Sequence, residues 1–359
     1  MAAMPTPRAL SSASQPVVGA AVRAWTSSTA RERVQGSGQR RHRGRVRLRG
    51  LMCDHSRRLD GARQEHRWRG AASVWEDPGP YHVAYPRDYR FLLEDTAVCK
   101  DPSPFVLLVV PVAPADVAAR NLIRSSWGRQ AEVRGRLVRS LFLVGVDSSL
   151  GAHTVQLKLQ QESQQYHDLV QSNFIDSYRN LTIKTMVMLE WLAAHCSSSA
   201  TYVVKVDSDM FLHVPNLVDL LLQPDTPKNN YMSGLVWWHS PVLRNPWDKF
   251  YMPREVIAEE EYPPYPLGMT YIMSLDLPHK ILSVSREIKP IFIEDAYLGM
   301  CLKRLQISPT NPPAQDMFLV NQPHPLSPCA LSRVVATTTT GAQLMMNYWR
   351  RSQQPETRC

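Results

Sequence analysis

Unbroken apolar runs, with little strict alternation, mark the ordered part of the chain. Phe105 to Val112, Leu137 to Val144 and Tyr202 to Val206 are short and rich in β-branched residues. That pattern predicts strands covered on both faces. Helical spacing fills the gaps between them. It predicts helices over Ala115 to Trp127, over a charged, Gln-rich stretch at about 153–172, and over Thr182 to Cys196. In the last, Ile183, Met186, Val187, Trp191 and Ala194 recur at i, i+3 and i+4. Val214 to Leu222 predicts a further helix, closed by Pro224. Tyr231 to Trp238 is strand-like, and Pro241 to Pro266 is a loop region with six prolines. Short strands follow at Thr270 to Ser274 and Ile291 to Ile293, then a helix at Ala296 to Leu305. Strands alternating with helices predict an α/β fold, with a mainly parallel central sheet and helices on both faces.

Charge divides the chain. Its 359 residues carry a net +9, but residues 1–70 hold 15 Arg, no Lys and four acidic residues, a net +11. The remainder therefore carries −2. Residues 1–95 read as a basic, largely disordered arm, with 71–100 transitional, ahead of a folded domain over 96–352. Arg40 to Arg49 resembles a nuclear-localisation or nucleic-acid patch, yet a solvated basic tail has the same composition. No nucleic-acid partner is expected for the nearly neutral folded domain. No apolar stretch approaches the roughly 18 residues of a membrane span, and no anchor or secretory signal is legible.

Six cysteines stand at 53, 99, 196, 301, 329 and 359, none in a Cys-x-x-Cys pair. Free thiols and long-range disulfides both suit that spread. Asn180-Leu181-Thr182 is an N-glycosylation sequon, meaningful in a secretory compartment.

Two acidic pairs carry the candidate chemistry. The run at Tyr202 to Val206 stops at Asp207-Ser208-Asp209. Residues two apart on an extended backbone point the same way, and ligands gather at strand ends in open α/β sheets. The pair is either a solvated turn or an oxygen site for a hard divalent cation. Glu294-Asp295 sits where a short apolar stretch gives way to a helix. It is either a helix cap or the place of a general base.

Several segments, in order, resemble the β-1,3-galactosyltransferase and β-1,3-N-acetylglucosaminyltransferase family, glycosyltransferase family 31. They are Arg120-Asn-Leu-Ile-Arg124-Ser-Ser-Trp127-Gly128, Phe142 to Gly145, Asp176 to Thr185, Lys205 to Phe211, Tyr262 to Gly268 with Tyr271, and Glu294 to Cys301. The resemblance spans roughly residues 99–350. It implies a GT-A-like nucleotide-sugar-binding fold and an inverting transfer of a hexose to a 3-hydroxyl in β linkage. It implies a UDP-sugar donor, a glycan acceptor on a glycoprotein or glycolipid, and Mn²⁺, or Mg²⁺, held by Asp207 and Asp209. Asp295 is the implied general base. Arg120, Arg124, Trp127, Asp207, Tyr265, Gly268 and Glu294 are the implied substrate-binding residues. Trp237 and Trp238 are candidates for stacking on sugar rings. Asp-Ser-Asp-Met-Phe favours UDP-galactose. The alternatives are UDP-N-acetylglucosamine as donor, or a catalytically weak carbohydrate-binding relative. A glycan at Asn180, disulfides Cys99–Cys196 and Cys301–Cys329, and a lumenal place at the Golgi membrane are implied in the same way. The chain departs from the family at Thr338, where relatives carry a His between the positions of Cys329 and Trp349.

Overall fold

The structure is a computed structural model that describes residues 78–354 apart from 101, 198 and 199. The chain divides into two units, Met1–Glu76 and Asp77–Cys359. The expected arm up to residue 77, with its Arg40 to Arg49 patch, lies outside the described residues.

The larger unit is built on an eight-stranded sheet. Its main path uses β1 (Phe91–Leu93), β2 (Val106–Pro111), β3 (Arg136–Val146), β4 (Leu169–Ile175), β5 (Tyr202–Val206), β7 (Met232–Trp237) and β8 (Tyr265–Ser274). The short strand β6 (Met210–Leu212) belongs to a second sheet. The main order is β1-β4-β3-β2-β5-β8-β7, and Glu132–Val133 pairs beside β3. β4, β3, β2 and β5 run parallel. β1 is antiparallel to β4, β8 to β5, and β7 to β8. The fold is therefore α/β with a parallel centre and antiparallel margins.

Residue chemistry accounts for the layers. The central β2 is buried at its first five positions, so it has no polar face to present. Leu107 and Val109 point into one core; Val106, Leu108 and Val110 point into the other. The first core is closed by α3 (Leu181–His195), α5 (Leu277–Ser285) and α6 (Glu294–Leu305). The second is closed by α1 (Val117–Ser125), α2 (Ala152–Tyr166), α4 (Val214–Leu221), α7 (Pro328–Arg333) and α8 (Ala342–Ser352). The first turns of α3 are buried all round, which is why that helix is apolar on nearly every side. The second sheet joins β9 (Phe318–Leu319), β10 (Ala336–Thr338) and β6 in that order.

The structure corrects several expectations. The helix expected over 153–172 ends at Tyr166, with His167 left-handed, and the chain then forms β4. Gln171 and Ser172, buried in that strand, disguise it as a polar segment. The Gln171 amide donates to the Gly145 carbonyl at 3.0 Å and pairs with Gln156. Ile291 to Ile293 is not a strand. Ile291 makes one bridge to His82, and Ile293 caps α6. That bridge, β1 and the buried Val83 and Tyr85 show that order begins ahead of residue 96.

Cys99 and Cys196 are bonded, with Cα atoms 5.3 Å apart, tying the chain ahead of β2 to the end of α3. The expected Cys301–Cys329 bond is absent, because Cys301 is a free, buried thiol. Cys301 lies in the core with α6, while Cys329 opens α7, whose Leu331 packs in the core on the other face. The sheet separates them. No described helix is long and apolar enough to cross a membrane.

Non-reducing peptide mapping is expected to recover Cys99 linked to Cys196, and Cys301 alkylated after denaturation without reductant. Cys99→Ser is expected to lower stability by about 2–5 kcal/mol in urea unfolding, the usual scale for a native disulfide closing a long loop.

Candidate active site

The carboxyl ends of the parallel strands carry the polar residues. β5 ends at Val206, and Asp207 to Asp209 turn the chain into β6, with Met210 N–H donating to the Asp207 carbonyl at 3.1 Å. Antiparallel β8 lies alongside, and Asp207 N–H donates to the Met269 carbonyl at 2.9 Å. Lys205, inside the buried strand, bonds the Gly268 carbonyl and meets Asp207 Oδ1 at 2.6 Å. Burial works against the Lys205 ammonium, but the charges of Asp207, Glu294 and Asp295 overcome it and raise its pKa.

The second acidic pair reaches the same place from α6. Gly268 N–H donates to Asp295 Oδ2 at 2.9 Å, and Ala296 N–H to Asp295 Oδ1 at 2.9 Å. A Cβ on Gly268 would stand 2.8 Å from Glu294 Oε2 and 3.2 Å from Asp295 Oδ2. A side chain here would crowd both carboxylates, which glycine avoids. Glu294 is buried, and its Oε1 accepts from Tyr271 Oη at 2.8 Å and Thr185 Oγ1 at 2.9 Å. Burial, then the neighbouring Asp295 charge, push Glu294 up to about 7 against the pull of Lys205. Burial also raises Asp295, against the backbone N–H groups that stabilise its charge.

Asp209 is exposed as a residue, yet the atoms packed about its carboxylate, and then the Asp207 charge, raise it to about 6. Its carbonyl accepts from Thr339 N–H at 3.0 Å and Thr339 Oγ1 at 2.7 Å. The register of β10 with β6 sets Thr338 opposite Met210, beside Asp209. Among the described residues no three of His, Cys, Asp and Glu converge as a metal cluster.

The Galactosyltransferase family model matches residues 118–313. The chain belongs to the galactosyltransferase family. It is 34% identical to beta-1,3-galactosyltransferase 2 of Pongo abelii over 79% of this chain and 66% of that protein. The human beta-1,3-galactosyltransferase 2 gives the same identity and shares. It is 33% identical to beta-1,3-galactosyltransferase 1 of Mus musculus over 74% of this chain and 78% of that protein. The chain thus spans just under two thirds of the length of the type 2 relatives. The apo structure of the WbbM bifunctional glycosyltransferase aligns with a TM-score of 0.39 and 14% identity, covering 70% of this chain and 50% of that one.

The structure separates the family's matched positions. Asp207, Asp209, Gly268, Glu294 and Asp295 come together. Three others do not join them. Arg120 is fully buried, with Nε and Nη2 each 2.7 Å from the Glu162 carboxylate and Nη1 on the Ala113 carbonyl. Arg124 clasps Asp168 with two 2.7 Å bonds and lies 4.0 Å from the Tyr166 ring centroid. Asp168 precedes β4, at the amino ends of the parallel strands and so on the opposite edge from Asp207. Trp127 is fully buried and donates from Nε1 to the Met210 carbonyl at 3.1 Å. Arg120 and Trp127 are buried and fasten α1 to the fold, while the partly buried Arg124 is paired with Asp168 and Glu162. Tyr265 is 4% exposed, packed by Trp237 and Tyr262, with its hydroxyl on Ser240 Oγ at 2.7 Å. It is a wall near Asp295, not a stacking platform. Trp237 is partly buried, and Trp238 is exposed at the rim, donating to Asn311. The half-buried Asn180 donates from its side chain to the Ile175 carbonyl at 2.8 Å.

The structure also adds residues. Lys184, buried in α3, donates to the Val112 carbonyl at 2.8 Å and to Asp176 Oδ2 at 2.7 Å. Asp176 in turn accepts from Gly145 N–H at 2.8 Å. One lysine thus ties the ends of β2, β3 and β4. The signal was a lysine inside an otherwise apolar run, which must find a carboxylate.

Glu294 makes stability depend on pH. A carboxyl near 7 in the fold and 4.5 as the reference value holds its proton in the folded state while the unfolded chain releases it. Stability from this group is therefore complete below about pH 4.5 and falls as pH rises to about 7, by on the order of 3 kcal/mol. Glu294→Gln is expected to flatten that fall relative to wild type, read by urea unfolding from pH 4.5 to 8. Parallel curves for the two proteins would contradict the raised carboxyl.

Proposed function

We propose that the protein is an inverting β-1,3-galactosyltransferase that moves galactose from UDP-galactose to the 3-hydroxyl of an acceptor glycan. The main support is the meeting of the Asp207-Ser208-Asp209 turn with Glu294 and Asp295 across Gly268. Transfer from a nucleotide sugar needs cationic stabilisation of a departing diphosphate and a base for the attacking hydroxyl. The two acidic pairs meet those needs at one strand edge. The names of the relatives support galactose as the sugar and β-1,3 as the linkage.

Asp295 takes the proton of the acceptor's 3-hydroxyl as that oxygen bonds C1 of galactose. The bond from C1 to the diphosphate oxygen breaks on the opposite side, the α bond becomes a β bond, and UDP leaves. Asp295 is preferred as base because Glu294 is buried, committed to Tyr271 and Thr185, and half protonated near neutral pH. The Gly268 and Ala296 N–H groups aim the Asp295 carboxylate. Asp209 and Asp207 are the residues that would hold Mn²⁺, or Mg²⁺. Asp209 suits a hard cation because its carboxylate is crowded by the Asp207 charge. Two carboxylates with substrate oxygens and water are a normal set for such an ion. When bound, the ion neutralises charge on the leaving diphosphate.

The second reading, a catalytically weak carbohydrate-binding relative, draws on Thr338. It stands beside Asp209 at the position where relatives carry a His. The site of action is the Golgi lumen at its membrane, with a glycan at Asn180. The Cys99–Cys196 bond supports an oxidising compartment.

Asp295→Asn is expected to lower kcat by at least about 10²-fold with UDP-galactose binding retained. Asp209→Ala is expected to abolish transfer and metal-dependent UDP binding while leaving the unfolding curve nearly unchanged. Steady-state transfer and calorimetric UDP titration check both. Full kcat in Asp295→Asn would remove it as the base, and wild-type rates in Asp209→Ala would remove the cation site.

A further inference from the structure

The segment from Arg244 to Met252 lies between two short strand pieces, Ser240–Pro241 and Glu261–Tyr262. It is pinned at several points. The Arg244 guanidinium bonds the Met252 carbonyl at 2.8 Å, and Met252 itself is buried. Tyr251 meets Tyr81 edge to face, with centroids 5.8 Å apart. Lys249 Nζ rests 3.7 Å from the centroid of the Tyr178 ring. Tyr178 leads into α3, whose Thr182 hydroxyl donates to the Ile291 carbonyl at 2.8 Å and whose Thr185 hydroxyl donates to Glu294 at 2.9 Å. Its neighbour Arg179 lies 4.3 Å over the ring of Phe292, two residues before Glu294. After burial, the charges of Asp295 and Asp207 are the largest influences raising its phenol.

At the tip of this pinned segment, Trp247 is 94% exposed. Asn245 sets its backbone, accepting from Trp247 N–H at 3.2 Å through its side chain and from Asp248 N–H at 3.0 Å through its carbonyl. Among the described residues none hydrogen-bonds the indole or stacks a ring on it. An indole in water on a fixed turn gives the fold no packing, since burying a large apolar side chain is what stabilises it. Lys249, two residues on, ties the tip to Tyr178 and so to the start of α3, whose Thr185 holds Glu294.

We propose that Trp247 is a docking platform for the acceptor. It stacks on a sugar one or two residues inward from the one that reacts, so the acceptor class is an oligosaccharide and not a single sugar. This rests on the transferase reading above. Sugar rings have an apolar face that packs on an indole, and the rigid turn holds the ring at little entropic cost on binding.

The test uses the full chain and matched methyl β-glycosides, a monosaccharide and a trisaccharide, ending in N-acetylglucosamine or in galactose. Trp247→Ala is expected to raise KM for the better trisaccharide by about tenfold, the scale of one good aromatic contact. The kcat, the KM for UDP-galactose and the KM for the monosaccharide should stay within about twofold, and Trp247→Phe should recover most of the loss. An unchanged trisaccharide KM, or an equal change for monosaccharide and trisaccharide, overturns the platform while leaving the transferase reading intact. If no glycoside is a substrate, that reading fails and fluorescence decides the platform. A trisaccharide-induced shift of tryptophan emission that vanishes in Trp247→Ala supports it, and no such shift overturns it.

Discussion

A lysine in the middle of a buried strand is the constraint on which the site depends. Four carboxylates, of Asp207, Asp209, Glu294 and Asp295, converge on one strand edge and repel one another. The Lys205 ammonium lies between Asp207 and the Gly268 carbonyl, in the field of Glu294 and Asp295. An unpaired buried ammonium would cost several kcal/mol, and so would the unpaired carboxylates. Each is tolerable because of the other. The same contact fixes β5 against β8 and, through Gly268 N–H, against the first turn of α6.

Around this centre the strand ends are tied by a second buried lysine. Lys184 joins the chain after β2 to Asp176 after β4, and Asp176 reaches Gly145 at the end of β3. The edge therefore has a rigid polar floor reached from below by α3. The opposite edge is held by Arg124 and Asp168, with Arg120 and Glu162 buried between α1 and α2. One set of ion pairs joins helix to strand and helix to helix. The other leaves Asp209 exposed and Asp295 partly exposed.

The division of labour between Glu294 and Asp295 follows from position within a single helical turn. Glu294 turns into the core, where two hydroxyl groups consume its Oε1 and burial holds its proton. Asp295 faces the more open side, with two backbone N–H groups on its carboxylate. Neighbours in sequence thus acquire different protonation and different access.

The sequence by itself determined the layers and the acidic centre. The short, β-branched apolar run Phe105 to Val112 reads as a strand covered on both faces, and the observed β2 is that strand, parallel to both neighbours. Asp207 and Asp209 were legible because they interrupt such a run, and Glu294-Asp295 because a helix starts there. Tertiary structure decided what spacing does not encode. β4 was hidden because its buried Gln171 and Ser172 look like surface residues until their cross-chain hydrogen-bond partners and packing are known. Arg120, Arg124 and Trp127 fit a motif, yet whether an arginine meets a substrate or a carboxylate depends on which strand end its helix reaches. Cys301 and Cys329 fell on opposite faces of the sheet, a matter of topology and not of sequence distance. Local pattern fixes what a segment buries; the order of strands in the sheet fixes which charges and thiols can meet.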